Sequence, residues 1–97
     1  MLEIAAVEPL AGREVRLTLT DGSIVERDLV DVLWGPVFER IAQDDSAFRA
    51  VRVRHGTIAW SDEADLAPET VIWGVWPPPE GQRPPARMVV PNVTVRR

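Results

Sequence analysis

The 97-residue chain contains no cysteine, no lysine and only one histidine. Disulfides, thiolate nucleophiles and cysteine-bound zinc are therefore excluded, and one imidazole is too few for a histidine-rich metal site. No apolar run approaches the roughly 20 residues of a membrane span. Glu3 and Glu8 also interrupt the N-terminal segment, where a signal peptide requires a basic start and an apolar core. We expect a cytoplasmic protein with no membrane contact and no cofactor.

Hydrophobic residues make up 45% of the chain and charged residues 27%, which is typical of a globular domain. The length allows one hydrophobic core. We predict a single domain over residues 1–76 and a proline-rich tail over residues 77–97, which holds six prolines. The end of the tail, MVVPNVTV, is rich in β-branched residues, but Pro91 lacks an N–H, so only an edge position in a sheet would accept it.

Charge is distributed unevenly between these two parts. Residues 1–76 hold seven arginines against fourteen acidic residues, a net charge of -7, and residues 77–97 hold four arginines against one glutamate, a net charge of +3. An acidic body repels phosphate backbones and attracts basic protein surfaces. Nucleic acid is therefore an unfavourable partner for this chain alone, and protein is a better one.

The first half of the domain has the pattern of a β-hairpin. Apolar and polar residues alternate from residue 13 to 20, and Asp21-Gly22 then forms a strong turn signal. A two-residue loop would place Glu26 on the apolar face of the hairpin. A one-residue bulge beside Gly22 instead places Val25 and Leu29 there, with Arg27 near the strand end, and this register is favoured.

The middle of the chain predicts a short helix and two more strands. Pro36 suits the first turn of a helix, whose apolar stripe would be Val37, Phe38, Ile41 and Ala42. The strands AVRVRHG and TIAW follow, joined by a turn at His55-Gly56. The prediction is an α+β fold with one small antiparallel sheet of about five strands and two short helices packed on one face.

The stretch HGTIAWSDEADLAPE could be an active site, because it gathers one imidazole and four carboxylates. A general acid–base pair or a hard-cation site would use Asp62, Glu63, Asp65 and Glu69. The structural interpretation is simpler and is favoured: Trp60 ends a strand and packs in the core, Asp65 caps a helix, Pro68 lies in its first turn, and Glu69 complements its dipole. We expect no catalytic residues, no metal ligands and no enzyme activity.

Two further groups of side chains are candidates for binding. An exposed arginine set could bind RNA, although cross-strand ion pairs are the favoured interpretation; it comprises Arg49, Arg52, Arg54 and Arg16. The four tryptophans could form an aromatic surface, although core packing is expected for two of them, Trp60 and Trp73. Trp34 and Trp76 are the other two, and Trp76 adjoins the proline run.

The order of short motifs resembles that of a known bacterial family. The motifs are LTLTDG, DLVDVLWGPVFE, FRAVRV, GTIAW and ADLAPE, spread over roughly residues 4 to 73. They are similar to those of domain of unknown function 2442. This resemblance implies a small α+β domain, found either joined to a C-terminal helix-turn-helix or encoded beside a small partner in toxin–antitoxin-like pairs. Here Trp60-Ser61-Asp62-Glu63 departs from the usual WP[ND]G turn, and the tail replaces a helix-turn-helix.

The sequence therefore predicts a non-enzymatic interaction module whose tail docks on a second chain, either its own copy or the product of a neighbouring gene. The expected partner-binding residues are Trp76, Val89, Val90, Val93 and Val95, because the prolines prevent the tail from burying its own valines. One alternative is an accessory domain in transcriptional regulation. Another is an antitoxin-like inhibitor of a small basic partner.

Overall fold

The computed structural model describes residues 2–75 and 77–92. The strands in this part of the chain are β1 Ile4–Pro9, β2 Glu14–Leu19, β3 Ile24–Asp28, β4 Arg52–Arg54, β5 Thr57–Ala59 and β6 Arg87–Val89. The α-helices are α1 Glu39–Gln43, α2 Asp45–Phe48 and α3 Pro68–Trp73, and a 3-10 turn, Pro36–Phe38, precedes α1. The predicted α+β class is confirmed.

The strands form two sheets instead of the single antiparallel sheet that the sequence predicted. A four-stranded sheet has the order β1-β2-β3-β6, and β4 pairs with β5 as a separate hairpin. All pairs are antiparallel except β3 with β6, which is parallel. A parallel pair requires a crossover connection, and here the chain between β3 and β6 supplies the helices and the second hairpin.

The β2–β3 hairpin has the predicted bulged register. Leu17 pairs with Val25, and Gly22 adopts a φ of 89° in the connecting turn. The buried face of the hairpin therefore carries Val15, Leu17, Leu19, Val25, Arg27 and Leu29. The prediction that Val25, Leu29 and Arg27 share this face is confirmed.

The helices cover the buried face of the four-stranded sheet and differ in detail from the prediction. The helix α1 has its C-cap at Asp44, in the segment Asp44-Asp45-Ser46 where the sequence predicted its end. A second helix, α2, was not predicted and has its N-cap at the same residue, because the Asp44 carboxylate accepts the backbone N–H groups of Ser46 (2.9 Å) and Ala47 (3.4 Å). Val37 is half exposed instead of buried. The reason is that it lies in a 3-10 turn, whose tighter winding turns its side chain out of the α-helical stripe.

The β4–β5 hairpin covers the outer edge of β1. The Ile4 N–H donates to the Gly56 carbonyl at 2.9 Å, and β1 packs along both strands of the hairpin. His55 and Gly56 both have positive φ, which is the geometry of a two-residue hairpin turn. In the described part of the chain, no helix has the length and apolar character needed to cross a bilayer.

Candidate interaction edge

The other edge of the four-stranded sheet is covered by β6, which belongs to the proline-rich tail. Residues Glu26, Arg27 and Asp28 of β3 pair in register with Arg87, Met88 and Val89. The Glu26 N–H donates to the Ala86 carbonyl at 2.8 Å, and the Val90 N–H donates to the Asp28 carbonyl at 2.9 Å. Strand β3 therefore binds an extended segment of the tail through its main chain. We call this part of β3, Glu26–Asp28, the β3 edge.

Two side chains of the tail anchor the segment in the body of the protein. Val90 is 0% exposed and belongs to the hydrophobic core, and Met88 packs against that core. Gly74, which ends α3, lies so close to the tail that an added Cβ would be 2.9 Å from Met88 Sδ and 3.3 Å from Pro91 Cδ. The β3 edge thus continues into an apolar recess that holds alternate side chains of the bound strand.

A buried cation supports this edge from below. Arg27 is 1% exposed, and its guanidinium donates to the carbonyls of Val71 and Ile72 at the end of α3, both at 2.7 Å. It also donates to the Glu26 carbonyl at 2.7 Å. Burial lowers the pKa of Arg27 to about 10, which still leaves it charged at neutral pH. A cation at the C-terminal end of α3 is favourable, and it fixes α3 and Gly74 beneath the β3 edge.

The exposed face of the sheet carries a row of alternating charges that crosses all four strands. Arg16 lies between Glu8 at 3.1 Å and Glu26 at 3.2 Å, and the other oxygen of Glu26 is 3.6 Å from Arg87 Nε. The hydrogen bond to Glu26 and the charge of Glu8 raise the pKa of Arg16. Arg87 thereby joins the tail to this row, although exposed ion pairs contribute little free energy each.

The bound strand itself leaves hydrogen-bonding groups on its far side. Because Ala86 and Val90 bond to β3, the N–H and carbonyl groups of Arg87 and Val89 point away from it. No strand within residues 2–75 and 77–92 pairs with β6 on that side. Val89 is 52% exposed on the outer face of the sheet.

The five residues predicted to bind a partner have different positions. Val90 is buried within its own chain, and Val89 is exposed one residue before it. Trp76, Val93 and Val95 lie outside the described residues. Val90 is covered by the core of the body and not by the tail itself, which agrees with the prediction that the tail cannot bury its own valines. The prediction that these residues bind a partner stays a prediction.

The stretch from Trp60 to Asp65 is structural, but Asp65 does not have the capping role that the sequence predicted. Trp60 is buried, donates from Nε1 to the Phe48 carbonyl at 2.9 Å and meets Phe38 edge-on. The residue that caps α3 is Ala67, with no side-chain cap, so the prediction of an Asp65 cap is wrong. Asp65 instead forms a backbone bridge with Ala59, which extends the β5 pairing.

The other two residues of this motif are where the sequence placed them. Pro68 begins α3, Glu69 lies in its first turn, and Gly74 ends it with a φ of 78°. Asp65 is held in the backbone bridge and does not cap the helix. Pro68 suits the first position of α3 because its φ is already helical.

The acidic cluster is dispersed. Asp62 forms an ion pair with Arg54, whereas Glu63 and Asp65 are exposed. His55 is exposed in the β4–β5 turn. No group of three or more carboxylates or imidazoles in residues 2–75 and 77–92 is arranged to hold a metal ion.

The candidate arginine and tryptophan surfaces are also divided. Arg16 is in ion pairs with residues of both neighbouring strands, as predicted. Arg54 is in an ion pair with Asp62, which lies beyond β5, and Arg52 donates to the Trp60 carbonyl at 3.2 Å. Arg49 is exposed at the C-terminal end of α2. Trp34 is half exposed and lines an apolar cleft of about 210 Å³ with Phe38 and Leu66, so it does not share a surface with buried Trp60.

Sequence reasoning missed the parts that Arg27 and Gly74 play at this edge. The pattern placed Arg27 on the buried face, yet its partners are backbone carbonyls that carry no sequence signal. Gly74 was predicted only as the end of a helix. The sequence did contain one signal. Arg27 faces inward and has no acidic partner on the buried face of its own hairpin, so its guanidinium requires carbonyl acceptors from another part of the chain.

The fold and this edge define a small α+β domain whose sheet binds an extended C-terminal segment. The family model described as "Protein of unknown function (DUF2442)" matches residues 4–75, and the chain belongs to that family. The match ends before β6, so the strand on the β3 edge lies outside the region that defines the family.

A solved structure is similar to part of the chain. It is the crystal structure of Putative DNA Binding Protein NE0471 from Nitrosomonas europaea ATCC 19718, with 32% sequence identity and a TM-score of 0.58. The similarity covers 64% of this chain and 41% of that protein, so this chain corresponds to less than half of its length. None of the curated proteins matches the chain.

Proposed function

We propose that this chain is a non-enzymatic protein-interaction module that binds an extended segment at its β3 edge, and that the tail from residue 77 to 97 is its docking element. The observation that carries the proposal is the position of β6. A strand from outside the family-matched residues 4–75 occupies an edge built entirely by residues inside them.

The chemistry of the β3 edge supports this proposal. Strand addition takes its affinity from main-chain hydrogen bonds and its specificity from recesses for alternate side chains. Both are present, since Glu26 and Asp28 bond to the tail and the recess holds Met88 and Val90. The edge is also supported from within the body by Arg27, whose partners are β3 and α3.

Binding of a peptide to the full-length chain tests this function. The peptide spans residues 84–92, carries a fluorophore, and is titrated into a Met88→Asp variant, in which the tail's own strand is weakened by a carboxylate facing the core. We expect a saturable rise in anisotropy with this variant, and a weaker rise with the natural chain, where the attached strand competes at an effective concentration of about millimolar.

Two controls make the titration specific. A Val89→Asp chain carries the same charge one residue away on the exposed face, and it should behave like the natural chain. A peptide that itself carries Met88→Asp should not bind. If the Met88→Asp chain keeps its folded circular dichroism spectrum and binds no natural peptide up to about 1 mM, the β3 edge is not a strand-binding site.

A second candidate function is an accessory domain in transcriptional regulation. The similarity to Putative DNA Binding Protein NE0471 favours it, because the match covers only 41% of that protein. The part of that protein outside the match has room for a separate DNA-binding domain. In this interpretation the present chain contributes the interaction module and does not itself contact DNA. The acidic body and the paired arginines Arg16 and Arg54 support that division.

Anisotropy with labelled duplex DNA at low salt tests this division. We expect no binding by this chain alone at about 50 mM salt, where phosphate contacts are strongest. Saturable binding that weakens steeply with added salt would show that the chain contacts DNA directly.

The antitoxin-like role rests only on the acidic body, and co-purification with a basic neighbouring gene product would be its test.

A further inference from the structure

We propose that the partner of the β3 edge is a second copy of this chain, and that two copies exchange their β6 strands reciprocally. This inference rests on the proposed function and names its partner. The structure already shows which segment binds the β3 edge, namely residues 86–90. Two backbone hydrogen bonds, one at each end of β6, hold this segment, and Val90 is fully buried. The remaining question is which chain delivers them, and the connecting segment answers it.

The connection folds back on itself when β6 pairs within one chain. The chain leaves α3 at Gly74, and Gly74 lies against Met88 and Pro91. Residues 77–87 therefore return the chain to the place where α3 ends. It reverses direction at a turn around Glu80-Gly81, where Gly81 has a φ of 73°.

The composition of this connection opposes such a reversal. Five of the ten residues from 77 to 86 are proline, in runs on either side of Gly81. Proline-rich segments favour extended polyproline geometry and resist bending over several residues. Such a connection favours exchange between copies, because the open form lets the prolines stay extended and keeps every contact of the exchanged strand.

The open connection is long enough for exchange. Ten residues in polyproline geometry span about 31 Å. The molecule measures 37 × 31 × 22 Å, so an opened connection crosses its short dimension and reaches the β3 edge of an adjoining copy. A two-fold axis then gives each copy the same β3–β6 pairing that is seen here, so that both β3 edges stay covered after the exchange.

Introduced cysteines can show which chain supplies β6, because the natural chain has none. Asp28 and Val89 are register partners on the exposed face. A full-length chain with Asp28→Cys and Val89→Cys is prepared with and without an isotope label, and the two forms are mixed, refolded together at about 1 mM and oxidised in a glutathione buffer. Mass spectrometry then measures the disulfide-linked peptide pair.

Exchange predicts that about half of this peptide pair joins a labelled to an unlabelled chain, as in random pairing of two copies. Pairing within one chain predicts no mixed pair and would overturn the inference. A chain with Thr18→Cys and Ile24→Cys is the matched control, because these residues are partners in the local β2–β3 hairpin. Its disulfide should stay within one chain and measures random cross-linking.

A glycine substitution at the hinge gives a second test without cysteine. A Cβ at Gly81 meets no atom within 4 Å, so Gly81→Ala acts only through its positive φ and disfavours the folded-back connection. We expect light scattering to show an association constant raised by about tenfold or more. Gly12 also has a positive φ, 65°, and open space around it in a remote turn, so Gly12→Ala should leave association unchanged.

The outcomes separate this inference from the function on which it rests. Mixed disulfides and a Gly81→Ala effect support exchange between copies. If mixed disulfides are absent while the peptide of residues 84–92 binds the Met88→Asp chain, exchange is wrong and the β3 edge serves another protein. If the peptide also fails to bind that folded variant, the proposed function is wrong as well.

Discussion

The two edges of the four-stranded sheet are closed by different means. The β1 edge is covered by the β4–β5 hairpin, which lies inside the family-matched residues, and the Ile4 N–H donates to Gly56. The β3 edge is covered by β6, which lies outside them, and the Val90 N–H donates to Asp28. Both hydrogen bonds are 2.9 Å long. Hydrogen bonds of equal length therefore close two edges whose covering strands differ in whether they lie inside the family-matched residues.

This difference teaches how a small domain can keep a binding edge without aggregating. An uncovered edge strand invites pairing with any other chain. Here the hairpin at the β1 edge lies inside the family-matched residues, and we propose that only β6, which lies outside them, can leave the edge that it covers. The following predictions would break or sharpen that contrast.

The largest effect is expected at Arg27, which supports the β3 edge and not the β1 edge. Arg27→Met should lower the free energy of unfolding by about 3 kcal/mol, because two buried carbonyl groups and one partly buried carbonyl group lose this donor. The loss is partly offset because a cation is no longer buried. Urea denaturation measures it. Arg16→Met, on the exposed face, should change stability far less, and equal losses would show that burial of Arg27 has no special importance.

The next effect compares the two apolar anchors. Ile4→Ala should cost about 3 kcal/mol, because β1 is part of the cooperative body. Val90→Ala should cost only about 1 kcal/mol in the same urea experiment, since the loss is limited to the free energy of docking β6. If both substitutions cost the same, β6 unfolds with the body and is not a separable strand.

A pair of glycines allows the edges to be disturbed individually. Gly74 at the β3 edge and Gly56 at the β1 edge both have positive φ, and an added Cβ would be 2.9 Å from Met88 Sδ or 2.8 Å from Glu3 Cδ. Each substitution to alanine should cost about 1–2 kcal/mol. Only Gly74→Ala should also accelerate hydrogen exchange at Val90, and the same acceleration in Gly56→Ala would contradict the contrast.

The smallest effect concerns the turn between β2 and β3, midway between the edges. The Asp21 carboxylate accepts from the Ser23 hydroxyl at 2.6 Å and from its N–H at 3.0 Å, and these bonds lower the pKa of Asp21. Its stabilising contribution is complete above the ordinary aspartate pKa and is lost as the pH falls through the lowered value. Acid titration of Asp21→Asn should therefore show slightly less loss of stability below about pH 4.

The sequence predicted most of the features that depend on local pattern. Alternation and the Asp21-Gly22 turn gave the hairpin and the inward Arg27, and Pro68 with Gly74 gave the ends of α3. These features depend on residues that are close along the chain. The α+β class followed from their order.

The features that the sequence did not predict depend on remote partners. The parallel pairing of β3 with β6 joins residues 26 and 87, and no local pattern specifies it. The wrong prediction of an Asp65 cap has a similar cause. The backbone of Asp65 pairs with Ala59, and the N-cap position of α3 falls on Ala67. The carbonyl partners of Arg27 are invisible in sequence because every residue has a carbonyl.

Native-state hydrogen exchange of Val90 and Ile4 tests the central claim most directly. Their N–H groups are both buried, and each donates a 2.9 Å bond at one edge of the sheet. We predict that Val90 exchanges by local opening, with an opening free energy well below that of global unfolding, whereas Ile4 exchanges only when the whole domain unfolds. Equal protection of the two amides, with the same denaturant dependence, would contradict the account.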